Sequence, residues 1–196
     1  MIRSEASQLL EPLVHALPLN TVGLWALSTA ERLTAGVSCV SDGAALARAN
    51  DHLADLWSHR QGRTLEAAEL IKLSELAAQA VPDEDQARDW DVHRGLLQNA
   101  WAAIAYVALA EVHQELRYAQ WTVQQTFEAI EYWTADKAPR LMTASEAVLP
   151  TVFGPLEERE VQRQARDLRS LLGAEPPDTR RLRERSRREG ASLFRA

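Results

Sequence analysis

Arg48, His52, Asp55 and His59 recur at i, i+4, i+7 and i+11, so on a helix they share one face. Two imidazoles flanking a carboxylate are a donor set suited to a divalent transition metal, with His93 or His113 as a further ligand from elsewhere in the fold. The plainer reading is the solvated face of an amphipathic helix, with Arg48 and Asp55 close enough to interact, and it is the one preferred. Glu111 breaks an apolar stripe in line with Leu97 and Ile104. Buried, it could act as an acid or base; at a helix end it simply marks emergence into solvent. Glu31 beside Arg32 reads as a helix-end ion pair or a structural contact. Cys39 reads as a small core or boundary residue, because no His–Asp pair can be assigned to it by spacing.

The motifs that carry common chemistries are missing. There is no GxGxxG, GxxxxGK[ST], HExxH, GxSxG or paired CxxC, and no Glu-x-x-His of the kind a di-iron bundle uses twice. No catalytic residue, metal ligand set or cofactor is therefore assigned. Of the six tryptophans (25, 57, 90, 101, 121 and 133), five are expected to anchor helix packing. Trp90 differs, because it lies in the polar stretch "DQARDWDVHR". It is either a staple folded onto the core, the preferred reading, or an exposed hot spot. Together with Asp83, Glu84, Asp85, Asp89 and Asp91 it makes residues 83–91 a candidate partner-binding segment.

The elements that must position these residues are helices. Alanine is abundant, glycine and proline are scarce, and no strand-like alternation occurs. The pattern predicts an all-α single-domain bundle of about seven or eight helices around a buried central helix at about residues 92–116. Helices are expected at about Glu5–Ala16, from an Asn20 cap to Ser38 with Gly36 weakening its end, from a Ser41 cap to His59, and from a Thr64 cap to about Ala80. Next come the central helix, a helix over Trp121–Ala135, a looser stretch containing Pro139 and Pro150, and a helix over Leu156–Leu172. In that last helix Val161, Ala165, Leu168 and Leu172 are expected to face inward, with Arg163 and Asp167 paired outside. "LLQNAWAAIAYVALAEV" (96–112) carries no charge before Glu111 and is apolar all round, as a buried helix is. It is shorter than a membrane span and lacks interfacial anchors, so no membrane is expected. The N-terminus carries Glu5 and Glu11 where a signal peptide would be apolar, so a cytoplasmic location is expected.

The net charge of −6 conceals an asymmetry. Residues 178–196 carry seven arginines against three acids, about +4, and residues 1–177 carry about −10. An acidic body opposes nucleic-acid phosphates, so nucleic-acid binding is not expected. The division drawn is an acidic bundle, 1–177, and an arginine-rich C-terminal segment, 178–196, helical and packed on the same domain.

The order of features resembles the YjaG-like family of all-helical bacterial proteins. The pieces are "LWALSTAERL", a helix ending "LADLW", an acidic linker before "GLLQNAWAAIAYVALAEVH", then "EEREVQRQARDLRSLL" and a closing "LRERSRREGAS". The likeness covers most of the chain from about Leu24 and is weakest over 136–155. It implies a single helical domain with an ordered helical tail, and it supplies no catalytic residues.

On these grounds the expected function is non-enzymatic protein binding. The partner is another protein, basic in character, or a second copy of the chain. An immunity- or antitoxin-like role, in which an acidic protein masks a basic toxin surface, is one form that the charge permits. The alternative is a small-molecule or metal-dependent enzyme using a cavity in the bundle.

Overall fold

The computed structural model describes residues 10–41, 43–83, 90–141, 149–173 and 177–195, with the side chains of 138–141 and 149–153 excepted. Its helices are α1 (residues 10–15), α2 (Leu19–Ser38), α3 (Ala44–Arg60), α4 (Ala67–Gln79), α5 (Val92–His113), α6 (Leu116–Leu141), α7 (Leu149–Leu171) and α8 (Thr179–Gly190). No strand occurs among the described residues. The expected start of the first helix, from Glu5, lies outside them.

The central helix lies where its composition demands. Asp91 caps α5 by accepting from the Arg94 N–H at 2.8 Å, and Gln114 ends it in the left-handed conformation, donating to the Ala110 carbonyl. Leu96, Ala100, Trp101, Ala103, Ile104, Val107 and Ala108 are buried, and α2, α4 and α6 pack around them. The alanines allow those helices close, and Trp101 fills the volume between them. Among the described residues α5 is the one helix long and apolar enough to cross a membrane, and 67% of its apolar window is covered by the rest of the protein.

A second helix is buried more completely. Sixteen of the twenty residues of α2 are buried, including Ser28, Thr29, Glu31, Arg32 and Thr34, under α3, α5, α6, α7 and α8. Gly36 does not weaken its end. A Cβ there would meet Leu193 and Phe194 at 3.0–3.1 Å, so the glycine admits the chain's C-terminal turn. At Gly190 a Cβ would lie 2.3 Å from the Arg32 carbonyl oxygen, so α8 crosses α2 at backbone contact.

Several boundaries depart from the sequence expectation, each for a local reason. Pro18, not Asn20, precedes α2. The Ser41 hydroxyl is engaged by His93 Nδ1 at 2.8 Å, and α3 begins at Ala44 behind Gly43. Thr64 yields to a capping box between Glu66 and Glu69. The stretch expected to be looser is largely helix. The helix α6 runs through Pro139 to Leu141, and α7 starts at Leu149 with Pro150 in its first turn, where a missing N–H costs no helical bond.

Candidate functional site

The helix-3 stripe is assembled as drawn but is given over to local structure. Arg48 is exposed, and its carbonyl is 2.9 Å from His52 Nδ1. The His52 ring stands edge-on to Trp101 at 5.3 Å. Asp55 pairs with Arg63 at 3.0 Å and not with Arg48. His59 Nδ1 accepts the Leu65 N–H at 2.9 Å and so fixes the turn leading to α4. No group of three or more metal-ligating side chains occurs among the described residues.

Glu111 neither emerges into solvent nor stands alone. It is buried and accepts from Arg60 Nε at 2.7 Å, with Arg60 Nη2 at 2.5 Å from its second oxygen. Gly23 makes room for the pair, because a Cβ there would lie 2.5 Å from the Glu111 carboxyl carbon. Arg60 also donates to the Asn20 carbonyl, so the pair ties the start of α2 to the ends of α3 and α5.

Within the acidic segment, Glu84, Asp85 and Asp89 lie outside the described residues. Asp83 is exposed, Asp91 is the α5 cap, and Trp90 is half-buried with its indole N–H shielded from solvent and without a partner.

The largest concentration of charge joins Glu31 and Arg32 to the C-terminal helices, and sequence reasoning missed it. Arg32 Nε sits 3.1 Å from both Glu160 oxygens, Nη1 donates to Asp167 at 2.9 Å, and Glu189 lies 3.6 Å away. All of Arg32, Glu160 and Asp167 are buried. Burial alone would lower the Arg32 pKa, but Glu160 and Asp167 outweigh it and raise the pKa above its ordinary value. Asp167 also accepts from Arg185 at 2.7 Å. Glu31 accepts from the Trp57 indole at 2.6 Å and from Arg187, with Arg183 beside it. Burial lowers the Arg183 pKa, and Glu31 partly restores it.

Gln164 joins the same layer, accepting from Trp25 at 2.7 Å and donating to Glu160 at 2.6 Å. Thus Glu160, Gln164 and Asp167 face inward on α7 beside Leu156, Leu168 and Leu171, and Leu168 is inward as expected. Asp167 is not paired outside, and Val161 and Ala165 are only half-buried. The buried face keeps Leu168 and extends beyond the expected stripe to the two carboxylates that meet Arg32. The arginine-rich tail is α8, seated through Leu182 and through Arg183, Arg185 and Arg187 on acids of the body. This cluster is a clamp in which most charges are paired, while Arg32 Nη2 is buried without a hydrogen-bond partner and burial raises the Glu160 pKa.

The surface feature with recognition chemistry lies on α5 and α6. Gln98, Ala102 and Tyr106 on α5, and Trp121, Gln125, Glu128 and Tyr132 on α6, recur at helical spacing along the partly exposed faces. At one end Trp121 is 40% exposed, with Tyr106 and Tyr118 ring centroids 5.3 and 5.4 Å away. The Arg117 guanidinium lies 4.8 Å from the Tyr118 ring centre and 6.0 Å from that of Trp121, held by Glu115 at 2.7 Å. At the other end a cavity of 340 Å³ is lined by Gln98, Asn99, Gln125, Glu128, Glu131 and Tyr132. The even spacing of Trp121, Gln125, Glu128 and Tyr132 was readable in the sequence, but only the fold shows which side of α6 is left uncovered.

No family model, curated protein or solved structure matches the chain.

Proposed function

We propose that this is a non-catalytic helical protein that binds another protein, basic in character, through the α5–α6 face. The observation that carries the reading is Trp121, a large aromatic left 40% exposed yet already ordered between two tyrosines and an arginine. Trp, Tyr and Arg are the residue types that dominate binding energy at interfaces, and a side chain ordered before contact gives up less entropy on binding. Net charge supports a basic partner: the chain is at −6, and α8 holds Arg183, Arg185 and Arg187 against Glu31 and Asp167. An immunity- or antitoxin-like role is one form of this reading, as is membership of the YjaG-like group that the order of features resembles.

The test compares the full-length protein with its Trp121→Ala variant as bait in the producing cell. A basic protein retained by the wild type and lost with the variant is expected, with association slowing as ionic strength rises. Retention that ignores Trp121, or partners without basic character, would overturn the reading.

A further inference from the structure

We infer that the α5–α6 cavity is a binding site for a guanidinium group. Three features of its wall favour that chemistry. Asn99, only 4% exposed, donates its amide to the Gly95 carbonyl at 2.8 Å, and no hydrogen bond among the described residues engages its Oδ1. Because Asn99 lines the cavity, that acceptor is left to whatever enters.

Glu128, in the same wall, accepts from Gln124 Nε2 at 2.8 Å and from Gln125 Nε2 at 3.1 Å. The two amides hold the carboxylate in place while leaving lone pairs on each oxygen for a further donor. Tyr132 adds an aromatic ring to the same wall. Its ring is packed on Gly95, where a Cβ would come within 2.8 Å of it, so its position is fixed by backbone contact.

A fixed carboxylate, an amide oxygen and an aromatic ring are complementary to a flat cation with several N–H donors. An anion would face the Glu128 carboxylate, and an apolar group would leave Asn99 Oδ1 desolvated without a partner. A guanidinium meets all three. It could belong to a free small cation or to an arginine side chain of the bound protein. Only the second source rests on the docking reading above.

Titrating the full-length protein with agmatine, with a short arginine-bearing peptide and with neutral N-butylurea tests the site. Agmatine or the peptide is expected to bind saturably and to shift the Asn99 side-chain amide resonances. Glu128→Gln, a neutral isostere at a half-buried position, is expected to weaken that binding by about tenfold or more, as loss of a hydrogen bond to a charged group does. Butylurea is expected not to bind. Agmatine binding as tight as the peptide identifies a free cation as the source, and peptide binding with agmatine only a weak competitor identifies a partner's arginine. No saturable binding by either, an unchanged affinity in Glu128→Gln, or equal binding of butylurea would overturn the inference. Trp121→Ala should retain agmatine binding, so this site and the docking surface stand or fall separately.

Discussion

Two helices run through the interior, and opposite means bury them. The helix α5 is buried because it has almost nothing that water could hold. Its one buried charge, Glu111, comes near the end and is met at once by Arg60. The helix α2 is more deeply buried, yet it carries Glu31 and Arg32 side by side in the protein interior. Its burial depends on Glu160, Asp167, Arg185, Arg187 and their neighbours arriving from the far end of the chain. Apolar burial tolerates approximate partners, whereas ionic burial requires every partner, because a charge left alone in the interior costs several kcal/mol.

The sharpest way to break this comparison is to remove α8. Truncation after Pro177 deletes Leu182, Leu193 and Phe194, each buried and worth about 1.5–3 kcal/mol, and leaves Glu31 without its arginine partners. The loss should be about 5 kcal/mol or more, so the truncated chain should show no cooperative thermal transition. A melting temperature equal to that of the full chain would mean that the clamp contributes nothing.

Next in size, Arg32→Met should cost about 3–5 kcal/mol, because it takes the closest cation from buried Glu160 and leaves buried Asp167 to Arg185. Adding Glu160→Gln to that variant should recover part of the loss, and denaturant titration of the two singles and the double would expose the non-additivity. Trp101→Ala in α5 should cost a similar 3–5 kcal/mol through the cavity it leaves. There, however, no second substitution that merely removes charge should help. A loss under about 1 kcal/mol would remove α5 from the core.

Gly190→Ala should destabilise by about 1–3 kcal/mol, since the added methyl meets the Arg32 carbonyl and Ala35. The smallest effects belong to the helix-3 stripe. His59→Ala should cost about 1 kcal/mol, the worth of one hydrogen bond to the Leu65 N–H. Asp55→Ala should cost less than about 1 kcal/mol, because its pair with Arg63 is exposed. Calorimetry would rank the two, and a large loss at Asp55 would return that stripe to the list of functional candidates.

The same contrast explains what could be read in the sequence. The helix α5 was legible because an uncharged run of that length has only one place to go in a folded bundle. The helix α2 was legible as a helix but its burial was not, since Ser28, Thr29, Glu31, Arg32 and Thr34 look like the wet side of an amphipathic helix until their partners are known. Glu160, Gln164 and Asp167 do fall at i, i+4 and i+7, but with arginines between them that spacing suits a solvated face equally well. The helical, packed tail was expected from the order of features, and Leu182 is the buried residue that seats it. The α5–α6 face was missed because the aromatic rings and carboxylates that line it are common in ordinary cores and on ordinary surfaces.

The clamp also sets a schedule for synthesis. Glu160 follows Arg32 by 128 residues, and Arg187 follows Glu31 by 156. At a translation rate of about 5–20 residues per second, α2 waits roughly 6–26 s on the ribosome before the first of its counter-ions exists. During that interval the nascent α2 and α5 offer apolar faces to each other while Glu31 and Arg32 hold α2 toward water. The clamp is therefore completed only when α8 emerges, and a chain stalled before α8 could pair Arg32 with Glu160 and Asp167 but would leave Glu31 without Arg183 and Arg187.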